Sequence, residues 1–179
     1  MMINFNKLVG VALLLYLTGS NKVPHFNLMK DDVNIVKGEA IAKTAEKYRG
    51  STDWAANKRK DNFPPGTKKC NKFVYDVLKE AGVTAPVYPR KKPGDVQWPL
   101  VAADWADSSC TITAWQHMGY GVPWKRGDVI AEKRNYSDAT GHCGIAISSS
   151  QVVGEQANSV TTEGHDFGAN AAVRRYTGR

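Results

Sequence analysis

The pattern of apolar residues changes once along this chain, near Pro123, and that change limits the folds available to it. Before Pro123 the apolar positions recur at helical spacing. After it they form short β-rich runs separated by small and polar residues. Helices first and strands afterwards predict an α+β domain, with N-terminal helices packed on a small antiparallel sheet. Ile41, Ala45 and Tyr48 place a helix over Ile35–Tyr48, stopped by Gly50. Residues 51–67 read as a long polar loop containing Asp53, Trp54, Pro64 and Pro65. The best-marked helix is Thr67–Ala81. Thr67 is placed as its N-cap, Phe73, Val74, Val77, Leu78 and Ala81 form one apolar stripe, and Gly82 sits at the C-terminal cap. Val83–Pro99 is rich in Pro and basic residues and cannot be one element, while Leu100–His117 reads as helical in part. Strands are placed at Asp128–Ala131, Gly144–Ser148, Gln151–Gly154 and Ala171–Tyr176.

A chain of 179 residues fits one domain. With 42% apolar and 23% charged residues it can bury a core, which excludes intrinsic disorder. No apolar run reaches the ~18–20 residues of a membrane-spanning helix, which excludes a polytopic membrane protein. Residues 1–20 read as a secretory signal or membrane-targeting segment. Lys7 precedes the apolar run Leu8–Leu17, and Thr18-Gly19-Ser20 follows. A buried first element, or a weakly apolar anchor that later leaves the membrane, would share these features. Ser20 stands where a lipidated Cys would be, so no lipid anchor is expected. Residues 21–34 read as a linker and 35–179 as one folded domain. The expected location is therefore outside the cytoplasm, in the periplasm or extracellular, at the cell wall.

Three short segments carry chemistry. Cys70 falls in the first turn of the best-marked helix, beside Lys68, Lys69 and Lys72. The positive end of the helix dipole and the neighbouring cations both favour thiolate over thiol, and the thiolate is the nucleophile. A buried, inert cysteine is the competing reading. His142 opens the run Gly141-His142-Cys143-Gly144-Ile145-Ala146-Ile147. On a strand its neighbours point alternately to opposite faces, so Gly144 and Ala146 share its face and leave room for a substrate groove. A neutral imidazole beside a thiolate can take its proton and later give one to the leaving amine. The third segment, Glu155-Gln156-Ala157-Asn158, ends the next strand. One of its polar side chains would hold the ring in the useful tautomer. Glu155, Gln156 and Asn158 are the candidates.

Cysteine at a helix start, histidine at a strand start and a polar residue on the next strand: this order resembles the NlpC/P60 and CHAP cysteine hydrolases. The matching segments are Lys69-Cys70-Asn71-Lys72-Phe73-Val74, Arg126-Gly127-Asp128-Val129-Ile130, Gly141–Ile147 and Glu155–Asn158, with 72 residues from Cys70 to His142. The likeness covers roughly residues 35–176. It departs from the family where Asn71 and Lys72 replace Ser and Gly after the cysteine. It departs again at the upstream tyrosine, for which Tyr48, Asp53 and Trp54 lie in the right region without aligning. The resemblance implies a papain-like fold and an exported cysteine amidase or endopeptidase that hydrolyses amide bonds in peptidoglycan. Cys70 would attack, His142 would act as base and then acid, and Glu155 would orient it, with no metal and no cofactor. A papain-like acyltransferase and a non-catalytic wall-binding module are the rivals. An antibacterial role with an immunity or inhibitor protein as partner also fits, and a monomer is expected.

Residues 57–92 hold ten basic and three acidic side chains, a surplus of seven that equals the net charge of the whole chain, +7. This stretch surrounds Cys70 and would make a basic rim attractive to an anionic polymer. Nucleic acid is not expected as the partner, because no zinc spacing or nucleic-acid module accompanies the charge. The other two cysteines, Cys110 and Cys143, are either separate thiols or one disulfide. Cys143 is expected to point away from His142, toward a layer that the Cys110 region could cover.

Overall fold

A computed structural model of the chain describes residues 25–163 and 167–178. The segment read as a signal lies outside these residues. Among the described residues no helix is long and apolar enough to cross a membrane. The chain divides into two units, Met1–Asp32 and Val33–Arg179. In the first, the described residues 25–32 are helical. Among the described residues the second contains three helical segments and six strands. These are α1 (His25–Lys47, which begins before it), α2 (Cys70–Glu80) and α3 (Ala102–Ala106), then β1 (Trp115–Tyr120), β2 (Val129–Lys133), β3 (Gly141–Ala146), β4 (Val152–Glu155), β5 (Val160–Glu163) and β6 (Ala172–Tyr176).

The α+β expectation holds: helices are packed on one antiparallel sheet of order β1-β6-β2-β3-β4-β5. Alternation along the strands builds two cores. Val129, Ala131, Cys143, Ile145, Val153 and Ala172 face a large core shared with Ile41, Phe73, Val77, Leu78 and Trp105. Ile130, Ala146, Val152 and Val173 face a smaller core closed by Phe167.

Several boundaries differ from expectation. The first helix begins at His25, so residues 25–34 are helical where the sequence reads as linker. The second begins at Cys70, not Thr67. The Thr67 hydroxyl is engaged with the Pro64 carbonyl at 2.7 Å, within the preceding turn, and Lys69 takes the N-cap position without a side-chain cap. Strands β1 and β5 escape the sequence reading, β1 because of an irregularity between His117 and Gly119. No disulfide joins Cys70, Cys110 and Cys143.

Two buried cations shape the loops. The Lys69 side chain is fully buried, and its ammonium donates to the carbonyls of Ala55 (3.1 Å), Ala56 (3.3 Å) and Thr67 (2.9 Å). It thereby gathers the long polar loop onto the start of α2. Arg174 on β6 does the same for the end of α3 and the segment after it, donating to the carbonyls of Trp105 (3.0 Å), Cys110 (2.9 Å) and Asp107. Each cation satisfies carbonyls that would otherwise be buried without partners.

The Arg126-Gly127-Asp128 turn is structural. The Asp128 carboxylate accepts the Lys125 N–H (2.8 Å) and the Arg175 guanidinium (2.8 and 2.7 Å), while Arg126 reaches Glu39 and Glu46 on α1. Backbone meets backbone there. A Cβ on Gly38 would lie 2.6 Å from the Arg126 carbonyl oxygen, and one on Gly127 (φ +86°) would lie 2.3 Å from that of Gly38. Gly38→Ala and Gly127→Ala are each expected to cost ~2–4 kcal/mol through this clash. Gly94→Ala is the control: it shares a positive φ (+90°) but meets nothing within 4 Å, so it should cost only about 1 kcal/mol. Urea denaturation midpoints of the three variants check the difference.

Candidate functional site

The start of α2 rests on the end of the sheet formed by β3 and β4. Helix α2 packs because Phe73, Val74, Val77 and Leu78 share one buried stripe. Its N-terminus is left without four intrahelical acceptors for its N–H groups, and no acid in its own first turn answers them. The answer comes from β4: Glu155 Oε2 accepts the Lys69 N–H at 3.1 Å. Cys70 follows as the first helical residue, 6% exposed.

The sulfur of Cys70 lies against β3. Hydrogen bonding to Cys143 and to His142 holds its thiol well below the ordinary cysteine range, against the opposing effect of burial. Cys143 belongs to the helix-side core with Cys70, so the residue expected to serve a remote layer is in fact the floor under the candidate nucleophile. Cys110 packs at the margin of the same core without bridging to it. His142 is 8% exposed, and its ring stacks on Phe167 with centroids 5.2 Å apart and planes at 22°.

The room expected above Gly144 and Ala146 is not a groove. A Cβ on Gly144 would lie 2.5 Å from Val152 Cγ1 and 2.8 Å from the Val153 carbonyl oxygen, so the missing side chain admits strand β4. Ala146 is buried in the smaller core. The open space lies instead at the strand ends, as two depressions that both touch Cys70. One, of about 290 Å³, is lined by His142, Glu155, Gln156, Arg134 and Tyr136. The other, of about 200 Å³, is lined by Phe63, Asn71, Val101 and Thr140. Lys68, Asp138, Ala139 and Gly141 border both. Together they form a trough with the cysteine at its middle.

Glu155 is the most perturbed acid of the site. It is 2% exposed, and among the described residues its Oε1 has no hydrogen-bond partner. Burial first, then the negative charge of Cys70, push its carboxyl up to about 7, while the Lys69 N–H, the His142 charge and the Lys69 ammonium pull the other way. A low-dielectric pocket holds one anion beside one cation more readily than two anions. The arrangement therefore favours a Cys70 thiolate beside a protonated Glu155 over two adjacent anions. Of the alternatives, Gln156 lines the same depression as His142, and Asn158 is exposed.

Other expectations shift. Lys69 and Lys72 do not form a basic rim. Lys72 is buried between Asp61 (2.6 Å) and Asp76, so the side chain standing where the family has Gly closes an ion-pair network. Lys68 remains exposed at the trough. Trp54 is a core residue, packed edge-on against Tyr48 and Phe73 and donating to Asp76 at 2.9 Å. Tyr48 pairs with Glu80, and Asp53 is exposed, so none of the three lines the trough. The loop 134–140 and Phe63, which do line it, carry no motif in the sequence; proximity to His142 in the chain is the only available signal for the loop. Among the described residues no three His, Cys, Asp or Glu side chains are grouped as ligands of a metal ion.

No protein-family model matches the chain, and no curated protein matches it. Among solved structures the chain is similar to one in the type VI native effector–immunity complex Tae3-Tai3 from Ralstonia pickettii. The identity is 17%, the likeness covers 78% of this chain and 98% of that one, and the TM-score is 0.42.

Proposed function

We propose that the protein is an exported cysteine amidase or endopeptidase acting on peptidoglycan, with Cys70 as nucleophile, His142 as general base and acid, and Glu155 as the third residue. The observation that carries this reading is the Cys70 sulfur at the first turn of α2, hydrogen-bonded to His142 and open to a trough on both sides. The motif order from Cys70 through His142 to Glu155 supports the substrate class by its resemblance to the NlpC/P60 and CHAP hydrolases. The papain-like topology of that family and an immunity protein as partner belong to the same reading.

In this mechanism the thiolate attacks the carbonyl carbon of a stem-peptide amide lying in the trough. The negative charge moves to the carbonyl oxygen, where the Cys70 N–H, one of the helix N–H groups with no intrahelical acceptor, can donate to it. His142 protonates the leaving nitrogen as the C–N bond breaks, leaving a thioester. It then takes a proton from water, which attacks the thioester and frees the acid and the thiol. The buried Glu155 carboxylate compensates the imidazolium when ionised and releases that hold when protonated, and through the Lys69 N–H it fixes the start of the helix.

Digestion of purified sacculi, read by mass spectrometry of the released muropeptides, tests this directly. Cys70→Ala, Cys70→Ser and His142→Ala are each expected to lose ~10³-fold or more in rate, because nucleophile and base act as a unit. Near-UV circular dichroism should be unchanged. Glu155→Ala should lose less. Full activity in a folded Cys70→Ala protein ends the reading, and a silent Glu155→Ala beside a severe Gln156→Ala or Asn158→Ala moves the third role.

Stability against pH provides a second test. The folded-state value of Glu155, about 7, lies above the ordinary 4.5, so the folded chain holds a proton that the unfolded chain has released. That contribution is complete below about pH 4.5 and is lost as pH rises through about 7, an effect on the order of 3 kcal/mol. Cys70 works the other way, since a depressed thiol favours the fold more as pH rises. The readout is therefore a difference. Glu155→Gln should leave the urea midpoint near that of the wild type at about pH 5 and raise it above wild type at about pH 8. Equal midpoints at both pH values would show that Glu155 is not held protonated.

A further inference from the structure

A third depression, of about 250 Å³, adjoins the trough and takes no part in the chemistry above. Phe63 lines both it and the Cys70 depression that holds Asn71. The Asn71 side chain also reaches the Pro99 carbonyl at 3.5 Å, linking the two walls. The far wall carries Trp98, 41% exposed, with its ring edge-on to Phe63 at 5.0 Å. A large aromatic side chain half open to water inside a depression is the anchor that a ligand's apolar face requires.

The polar half of the depression is rigid. Lys72 is buried with its ammonium on Asp61 at 2.6 Å and on Asp76, and Asp76 is also held by the Trp54 indole N–H at 2.9 Å. The Asp61 side chain is 64% exposed, so a fixed carboxylate faces solvent beside the aromatic wall. Gln97 and Lys79 complete the rim. Two carboxylates face two ammonium groups, so the depression is close to neutral and offers no net attraction to a polyanion. Its chemistry is fixed acceptors and donors at one side and a flat π surface at the other. That combination suits a ring with C–H bonds on one face and hydroxyl and acetamido groups at its edge.

We propose that the depression between Trp98 and Asp61 is a subsite for a neutral N-acetylated pyranose, and that it holds the glycan strand of the substrate while the attached peptide lies over Cys70. The assignment of that glycan to a substrate rests on the hydrolase reading, but binding itself does not. The C–H face of the sugar stacks on Trp98, and Asp61 accepts from its hydroxyls.

The test is a titration of the Cys70→Ala protein with tetra-N-acetylchitotetraose, followed by calorimetry and by the indole N–H signals in a nitrogen-correlated NMR spectrum. Saturable binding is expected, with the Trp98 indole signal moving and those of buried Trp105 and Trp115 staying in place. Trp98→Ala should weaken binding ~10-fold or more, and Trp98→Phe, which keeps a stacking ring, by ~3-fold or less. No saturable binding, a stationary Trp98 signal, or equal affinity in a folded Trp98→Ala protein overturns the proposal. If Trp98→Ala does not fold, the wild-type spectrum and Trp98→Phe decide. In the active protein, Trp98→Ala should raise KM on intact sacculi and leave turnover of a glycan-free stem peptide unchanged. An equal loss on both substrates makes the depression a peptide site and overturns the glycan assignment. An active Cys70→Ala protein would remove the hydrolase reading while leaving the sugar titration to stand or fall alone.

Discussion

The contact between Glu155 and the Lys69 N–H is the joint on which the site is assembled. It is a single hydrogen bond of 3.1 Å, but it fastens the free end of α2 to the last residue of β4. On one side of it the Lys69 ammonium draws in three loop carbonyls. On the other, Cys70 is set down on Cys143 within reach of His142. A helix N-terminus carries partial positive charge, and a carboxylate placed there is ordinarily stabilised by it. Here burial and the adjacent thiolate outweigh that benefit and lift the carboxyl to about 7. The joint therefore carries an electrostatic cost that a purely structural cap would not have.

Charge inside this protein is used mainly to hold backbone. Lys69 and Arg174, on opposite halves of the chain, each donate to several carbonyls, Lys69 to those of the loop before α2 and Arg174 to those at the end of α3 and just after it. A loop rich in unsatisfied carbonyls is costly to bury, and one cation with several donors removes that cost at several points at once. Lys72 is different: its partners are carboxylates, and its salt bridges stiffen the wall shared by α2 and the loop before it. Of the basic surplus in residues 57–92, two lysines are thereby withdrawn from the surface.

Much of this architecture is legible in the sequence where burial fixes the pattern of apolar residues. Val129–Ile130–Ala131 and Val152–Val153 are apolar on both faces because the sheet has a core on each side, and both segments read as strands. The stripe Phe73–Val74–Val77–Leu78 identifies α2, and Cys70 at its start follows from the same stripe. Strand β1 is hidden because WQHMGY is polar at several positions and irregular at Gly119, and β5 because VTTE is an edge strand with one apolar anchor. The fate of Lys69 could not be read at all. Lysine is ordinarily solvated, and nothing local announces that carbonyls from residues 55, 56 and 67 will converge on it. Glu155, Gln156 and Asn158 are all polar residues at a strand end, and no local signal announces that Glu155 accepts the Lys69 N–H.

The strand order has a consequence for how the protein comes into being. Strand β6, last in the chain, lies between β1 and β2, so the sheet has a gap in its interior until residues 172–176 are present. The meander β2-β3-β4-β5 can pair as it emerges, but its β2 edge, with Val129, Ile130 and Ala131, has no neighbour to cover it. Arg174, which gathers the Trp105–Cys110 segment, arrives with that same strand. The sheet is therefore complete only once β6 has joined it, and the pairings that complete it, β1 with β6 and β2 with β6, span large sequence separations. Such non-local closure makes for slow folding and leaves the β2 edge open until β6 fills the gap.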